Sequence, residues 1–158
     1  MRSAVLLLVV LSTLAAPAHA AERVASFGII LDNTSMEPTR PDELERLARA
    51  ERQLAEALTE RGYLLVDIAP VRAAAERQDL RSCPACEVAL ARQLGADLAV
   101  LGWVQKVSNL ILNINLAVHE VATGRLVRAG SVDIRGNTDE SWSRGLRILI
   151  DRQVFPRS

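Results

Sequence analysis

The sequence predicts a mixed α/β (α+β) fold, with one domain, a single mixed β-sheet and the element order β-α-β-α-β-β-β-α. Three observations lead to this class. In the first half of the chain, short apolar runs alternate with longer segments of helical periodicity. The second half contains a strictly alternating stretch and a further strand pattern beyond a Thr-Gly turn, which predicts an antiparallel meander. The last segment has helical spacing again, so we expect the meander to pack against helices.

The first twenty residues have the pattern of a secretory signal peptide. Arg2 precedes an apolar run over residues 4–14, and Ala18-His19-Ala20 supplies a small-x-small cleavage site. A proline and a histidine interrupt the run after roughly half of the ~20 residues that a membrane-spanning helix needs. We therefore expect cleavage after Ala20, export to a bacterial periplasm, no membrane span, and a mature domain of residues 21–158.

The charge balance argues against two classes of partner. The chain has 19 basic and 19 acidic residues, and removal of Arg2 with the signal peptide leaves one net negative charge. Such a balance gives no electrostatic attraction to nucleic acid or to an anionic membrane. We expect neither as a partner.

The mature chain begins with a strand, a helix and a second strand. Residues 24–31 form a nearly continuous apolar run that ends in a polar loop, which predicts a buried strand. Pro41, followed by two acidic residues, indicates a helix start, and Gly62 indicates its end. Residues 63–68 predict the second strand. The helix would bury one face, made up of Leu44, Leu47, Ala48, Leu54, Ala55 and Leu58.

Helical segments should follow before the third strand. Residues 71–80 have the character of a short helix, and Ser82 can cap another helix that ends at Gly95. Residues 97–107 then predict the third strand.

The meander is predicted from the alternation over residues 110–121. Apolar side chains at every second position would face the core, while the other face is largely polar. Ala122-Thr123-Gly124 predicts a three-residue hairpin loop with a left-handed glycine, so Val121 should pair with Arg125. This register sets polar residues opposite polar ones and apolar opposite apolar: Asn115 with Ser131, Asn113 with Asp133, Ile114 with Val132, and Leu112 with Ile134.

An amphipathic helix should close the chain. Asn137 or Thr138 can cap its start, with Glu140 near the first turn. Its buried stripe would consist of Trp142, Leu146, Leu149 and Ile150.

Cys83-Pro84-Ala85-Cys86 is the sharpest local motif. A C-x-x-C pair at a helix start suits thiol–disulfide exchange, and an exported location favours oxidation. A thioredoxin-type site needs a strand leading into the first cysteine, whereas the preceding residues predict helix or loop. We therefore favour a local structural disulfide, with redox activity and metal or cofactor contact as alternatives. Glu87 stands where a haem-ligating histidine would follow, which excludes c-type haem attachment.

The mature chain offers little for catalysis or metal binding. Its one histidine, His119, lies on the polar face of a strand, and zinc would need three or four ligands. The sequence contains no G-x-S-x-G nucleophile elbow and no glycine loop for phosphate. We expect no catalytic residues, no metal and no cofactor.

A polar patch on the meander is the remaining candidate site. Its members mix donors, acceptors and both signs of charge on strands, which suits a polar ligand or a protein partner. The alternative is a solvated sheet face, since antiparallel sheets commonly wet one side. The patch comprises Gln105 or Lys106 together with Asn113, Asn115, Ser131, Asp133 and Arg135.

Several C-terminal motifs resemble an uncharacterised family of exported proteobacterial proteins, the domain of unknown function 2380/3280 type. The motifs are GAD at 95–97, GWVQKVSN at 102–109, NINL at 113–116, TG at 123–124, SVDIRG at 131–136 and SWSRG at 141–145. The resemblance covers nearly all of the mature chain and implies no activity. More distantly, the order of helix, glycine-bearing strand and meander is similar to the TolB N-terminal domain and to CsgG-type curli secretion subunits. Those resemblances imply assembly with envelope partners rather than catalysis.

We interpret the chain as a periplasmic, non-enzymatic binding or assembly module. Its partner would be an envelope protein or a small polar ligand, held on the meander surface. The alternative is an accessory or redox-sensing protein of a periplasmic oxidative system, of the quinoprotein alcohol dehydrogenase type, that uses Cys83 and Cys86. The sequence does not predict an oligomeric state.

Overall fold

The computed structural model describes residues 20–83 and 85–157. The expected signal peptide, apart from Ala20, therefore lies outside the described residues. A 3₁₀ turn at Ala69–Val71 precedes the helix Arg72–Arg77, and a π-helical turn at Ile150–Val154 extends the last helix, Asp139–Leu149. The elements are β1 (Arg23–Asn33), α1 (Pro41–Glu60), β2 (Leu64–Leu65), α2 (Arg72–Arg77), α3 (Cys86–Gln93), β3 (Leu98–Lys106), β4 (Ile111–Glu120), β5 (Leu126–Arg135) and α4 (Asp139–Leu149).

The strands form one five-stranded mixed sheet in the order β2-β1-β3-β4-β5. β1 pairs in parallel with both β2 and β3, whereas β3, β4 and β5 pair antiparallel in sequence. The predicted fold class, a mixed sheet with a C-terminal meander packed against helices, is confirmed.

Helices cover the two faces of the sheet unequally. α1, α4 and the π-helical turn pack on one face, where the largest apolar cluster includes Leu54, Val104, Ile114 and Leu146. We call this side the covered face. On the other side, α2 and α3 pack over β1 and β3 through two smaller clusters. The half of that side formed by β4 and β5 carries mostly exposed and half-buried side chains.

The predicted register of the meander is confirmed for all four pairs: Asn115 with Ser131, Asn113 with Asp133, Ile114 with Val132, and Leu112 with Ile134. Gly124 has the expected left-handed conformation, with φ +72°.

The predicted closing pair of the hairpin is wrong. The Glu120 N–H, rather than that of Val121, donates to the Arg125 carbonyl at 2.9 Å. Val121 is only 3% exposed and packs in the apolar cluster with α3, while its N–H donates to the Asp97 carbonyl. Because its side chain is buried against α3, Val121 lies outside the hairpin pairing. A register shift between Val118 and His119 accommodates this change in pairing.

A β-bulge interrupts β1 and shifts its pairing with β3 by one residue. The pairing with β3 shifts between Ser26 and Ile29, and Gly28 lies between them with φ +80°. The Ile29 N–H donates to the carboxylate of Glu51 on α1 at 3.1 Å. Glycine is suited to this left-handed position, because a Cβ would be strained there.

Other predicted boundaries differ from the structure. The second strand has two residues rather than six, and α3 starts at Cys86, preceded by the left-handed Ala85, rather than at a Ser82 cap. α1 starts at Pro41 as predicted, but Leu44 is 57% exposed. The residues that α1 does bury are Glu43, Ala50, Leu54 and Leu58. In α4, Thr138 is the N-cap and the predicted apolar stripe is buried.

Gly145 marks a close approach of α4 to the sheet, since a Cβ there would lie 2.5 Å from Ile134 Cγ2. In an exposed helix, Gly→Ala stabilises by about 1 kcal/mol. Here we expect Gly145→Ala to destabilise the fold by about 1–3 kcal/mol, because the methyl group would push α4 off the sheet. Urea unfolding measures this. The exposed Ser143→Ala in the same helix should change stability by less than about 0.5 kcal/mol; equal stabilities of the two variants would contradict the close contact.

Candidate functional site

The uncovered half of the sheet carries most of the predicted polar patch. The pairing aligns Asp32, Gln105, Asn113 and Asp133 in one row across β1, β3, β4 and β5. The next row contains Trp103, Asn115 and Ser131. We call this surface the open face and define it by Asp32, Trp103, Gln105, Asn113, Asn115, Ser131, Asp133 and Arg135.

Lys106 does not belong to the open face, which corrects one member of the predicted patch. Consecutive residues of a strand point to opposite sides of the sheet, and Gln105 occupies the open side. Lys106 is fully buried on the covered face, where it pairs with Leu112. Of the two residues that the sequence left open, Gln105 therefore lies on the open face and Lys106 does not.

Asn113 is the centre of a hydrogen-bonded network on the open face. Its amide nitrogen donates to Ser131 Oγ at 2.9 Å and to Asp133 Oδ1 at 2.8 Å. Its amide oxygen accepts from Asn115 Nδ2 and from Ser131 Oγ. These bonds fix the orientations of four side chains, which lowers the entropy lost when a partner binds.

Two long polar side chains at the border of this network remain available. Among the described residues, the side chains of Gln105 and Arg135 form no hydrogen bond or ion pair, and Arg135 is exposed. Gln105 can donate and accept, while Arg135 offers five N–H donors. The open face thus combines a fixed centre with free donors at its edge.

Trp103 and Arg81 add an aromatic and a cationic group that the sequence analysis missed. The Arg81 guanidinium lies 5.9 Å from the Trp103 ring centroid and forms an ion pair with Asp32. Arg81 lies in the turn before α3, and Asp32 reaches this side only because of the bulge in β1. Of Trp103, Arg81 and Asp32, only Trp103 could have been assigned to this face from the sequence, because it lies two residues before Gln105 in the same strand. Tryptophan and arginine are enriched at energetically important positions of protein interfaces.

Cys83 and Cys86 form a disulfide beside the open face, with their Cα atoms 5.5 Å apart. Cys86 is the first residue of α3, and a turn follows α2 before Cys83. A thioredoxin-type arrangement would instead have a strand before the first cysteine and that cysteine at the helix start. A redox role for the pair stays a prediction.

Lys106 forms a buried ion pair with Glu43 of α1, with Nζ 2.6 Å from Oε1. Glu43 also accepts from the Arg40 N–H at 2.9 Å and from Asn137 Nδ2 at 2.6 Å. Burial raises the pKa of Glu43, but hydrogen bonds from Lys106, from the Arg40 amide and from Asn137 outweigh it and hold that pKa below its ordinary value. The pair joins the start of α1 to the end of β3.

Metal binding needs clustered ligand side chains and crossing a bilayer needs a long apolar helix, and the described residues of this chain have neither arrangement. No group of three or more His, Cys, Asp and Glu side chains among them is arranged to hold a metal ion. Within the same residues, no helix combines the length and the apolar character needed to cross a bilayer.

The fold and the open face define a mixed-sheet domain with one half-uncovered face. The chain belongs to the family described as protein of unknown function (DUF2380), whose model matches residues 22–154. This confirms the family resemblance seen in the sequence. No curated protein matches the chain.

Solved structures of similar fold come from several bacteria. The LpoB C-terminal domain from Salmonella enterica has 16% identity and a TM-score of 0.55, over 75% of this chain and 86% of that one. Lipoprotein GNA1162 from Neisseria meningitidis has 14% identity and a TM-score of 0.53, over 74% and 82%. The PelC dodecamer from Paraburkholderia phytofirmans has 13% identity and a TM-score of 0.52, over 83% and 86%. At these identities the likeness shows the fold alone.

The sequence also resembles, more distantly, TolB and the curli secretion subunits. TolB from Acinetobacter baumannii is a weak structural neighbour with a TM-score of 0.40 and 8% identity, and no argument rests on it. The similarity to curli secretion subunits stays a prediction.

Removing one partner of the buried ion pair should be costly. In Glu43→Gln the Lys106 ammonium stays buried, and its one remaining counter-charge among the described residues is the exposed Glu37 carboxylate at 3.9 Å. We therefore expect a loss of about 3 kcal/mol in the free energy of unfolding at neutral pH. Adding Lys106→Met should recover much of that loss, because the double variant buries no charge. Urea denaturation of both variants measures the difference; a double variant no more stable than Glu43→Gln would contradict this account.

The pH dependence gives an independent check. A carboxyl whose pKa is lowered by folding stabilises the native state above its unfolded value of 4.5, and that contribution is lost as pH falls through the lower folded value. Below pH 4.5 the free energy of unfolding should therefore depend less steeply on pH in Glu43→Gln/Lys106→Met than in the wild type, as urea denaturation at several pH values measures.

Proposed function

We propose that this chain is a periplasmic, non-enzymatic binding or assembly module whose open face holds a protein partner in the cell envelope. The observation that carries the proposal is the pre-ordered polar network centred on Asn113, on the side of β4 and β5 that no helix covers. Side chains held in place before binding suit recognition, since less entropy is lost.

The shape and chemistry of this surface favour a protein over a small ligand. A sheet surface is broad, whereas small-molecule sites are concave and mostly apolar. The open face mixes the carboxylates of Asp32 and Asp133 with the guanidinium of Arg135, and Trp103 is half-buried at its border. Of these side chains, the tryptophan and the arginine are residue types enriched at protein interfaces.

The free edge of the sheet indicates how a partner would bind. The N–H of Ser131 donates to Gln153 Oε1 at 3.0 Å, and its carbonyl accepts from Gln153 Nε2 at 3.2 Å. The Gln153 amide thus occupies backbone groups that an added strand would use. Recognition through side chains of the open face fits this arrangement better than extension of the sheet.

The fold relatives supply secondary support. One is described as a lipoprotein and another as a dodecamer. Those descriptions are of the two proteins themselves; for this chain the first supports the proposed envelope location and the second the proposed assembly with a partner.

The arrangement around His119 supports a non-enzymatic role. Hydrolytic catalysis needs a nucleophile, a base and an orienting group that converge on one point. Among the described residues, His119 lies 3.0 Å from the Glu87 carboxylate, and no serine or cysteine is hydrogen-bonded to its ring. The polar groups of the open face suit binding and supply no such triad.

Photocrosslinking in intact cells tests the proposal. A benzophenone amino acid in place of Asp133 should give a discrete protein adduct in the periplasmic fraction, whereas the same group in place of the exposed Glu56 on α1 should not. Arg135→Glu should reduce the adduct by about tenfold, because a reversed charge at an interface is costly. Arg144→Glu, at an exposed position of α4 on the other side of the sheet, is the matched control and should leave it unchanged.

Two outcomes would overturn the proposal. One is the same adducts at the same yield from both labelled positions. The other is no protein adduct, together with a small molecule that native mass spectrometry detects on the wild type and not on Asp133→Lys; that result would assign the face to a polar ligand instead.

Replacement of the cysteines separates the assembly proposal from the redox alternative. The double variant Cys83→Ser/Cys86→Ser should unfold more easily by up to about 2 kcal/mol, the loop-closure entropy of so short a loop. The adduct at position 133 should persist, because the disulfide touches none of the network around Asn113. If Cys86→Ser instead trapped the partner as a mixed disulfide through Cys83, the accessory or redox-sensing function in an oxidative system would replace the assembly proposal.

A further inference from the structure

A cleft of about 470 Å³ lies at the border of the covered face, where the end of α1 meets β5 and the segment after the π-helical turn. Its lining includes three arginines, Arg61, Arg128 and Arg157, and the aromatic residues Tyr63 and Phe155. A cleft of this size can hold a small molecule or the end of a peptide. No residue of the open face lines it, so the two surfaces are separate.

Two of the three arginines in the cleft are already neutralised by carboxylates. Arg61 forms an ion pair with Asp151, and Arg157 Nη2 lies 3.0 Å from Glu60 Oε2. Arg128, in contrast, forms no ion pair with any described residue, and its side chain makes a single hydrogen bond there. The cleft therefore presents one positive charge without a counter-charge.

The Arg128 guanidinium is held in place by aromatic side chains. Its Nη1 donates to Tyr63 Oη at 2.8 Å, and its Cζ lies 6.0 Å from the Tyr63 ring centroid and 5.4 Å from that of Phe155. These contacts leave Nε and Nη2 without an acceptor among the described residues. Both nitrogens reach solvent, because the fully buried side-chain atoms that lack a partner in the described residues all belong to other side chains.

The unused edge of this guanidinium matches a carboxylate. The N–H groups of Nε and Nη2 point in the same direction and can bond to both oxygens of one carboxylate. Arg40 uses the same edge in this chain, where its Nε and Nη2 donate to the two oxygens of Asp42, each at 3.1 Å. Because Arg128 is already fixed by Tyr63 and Phe155, it loses less entropy on binding than a free arginine would.

We propose that this cleft binds a carboxylate carried on an apolar group. The carboxylate would accept from Nε and Nη2 of Arg128, and the apolar group would lie against the half-buried Tyr63 and the exposed Pro156. A free monocarboxylic acid and the C-terminal carboxylate of a peptide share this chemistry. The proposal goes beyond the function proposed above and does not depend on it.

Titration of the exported protein, with its disulfide intact and its amide chemical shifts followed by NMR, tests this. The probes are phenylacetate for a free acid and Nα-acetyl-alanyl-leucine for a peptide C-terminus, each with its uncharged primary amide as control. We expect saturable shifts at Arg128 and Phe155 with at least one acid, half-saturated in the millimolar range or below. The corresponding amide should bind about tenfold more weakly or not at all, because it lacks the charge and one acceptor oxygen. Binding of the peptide acid would assign the cleft to a peptide C-terminus, and binding of phenylacetate alone to a free acid.

Three variants make the test specific. Arg128→Gln should weaken acid binding by about tenfold or more, since it removes the charge and the paired donors. Arg128→Lys keeps the charge but lacks the planar pair of donors, so we expect a loss of about threefold or more. Arg77→Gln removes the same charge from an exposed position on α2, outside the cleft, and should leave the affinity unchanged.

Saturable binding of neither acid, or equal affinity of an acid and its amide for the wild type, would overturn the proposal. Wild-type affinity in Arg128→Gln would do the same, and wild-type affinity in Arg128→Lys would overturn the bidentate contact. The comparison of acid with amide needs no variant, so it stands even where replacement of Arg128 disturbs the fold. The proposed function can fail independently, because it is measured by the adduct at position 133, and none of these variants alters the hydrogen bonds around Asn113.

Discussion

The alternation of side chains along β3 is the constraint on which both halves of the molecule depend. Val104 and Lys106 point to the covered face, while Trp103 and Gln105 point to the other side. Because β3 is the central strand, its alternation sets the orientation of β1 and β4 through the pairing register. A slip of one residue would bury the polar row and expose the apolar core, so one register satisfies both faces.

The buried pair of Lys106 and Glu43 ties the helices to this register. A charged residue in an apolar core is tolerated only with a partner of opposite charge, and the partner comes from the first turn of α1. Asn137 joins Glu43 to the start of α4, since its amide donates to Glu43 and its oxygen accepts from Trp142 Nε1 at 2.9 Å. One polar cluster therefore fixes where both long helices begin on the covered face.

The sequence predicted what depends on local pattern and failed where distant contacts decide. The meander register followed from the alternation of Asn113 and Asn115 with their apolar neighbours, a purely local signal. Lys106 was misplaced because its partner, Glu43, is distant in sequence, and composition alone treats a lysine as exposed. Arg81 was missed for a similar reason: it joins the open face through Asp32, whose orientation depends on a bulge that strand periodicity does not reveal.

The position of Trp103 links the open face to a cavity beside the disulfide, which Leu80, Leu101 and His119 also line. α3 is short and covers β1 and β3 but leaves β4 and β5 free, so the uncovered surface begins at this side chain. Its ring borders the polar row on one side and lines the cavity on the other. Any ligand in the cavity and a protein on the open face would both contact it. Two occupants that each prefer a particular orientation of this ring must then alter each other's affinity by the same factor, because such coupling is reciprocal, whereas an occupant without a preference has no such effect.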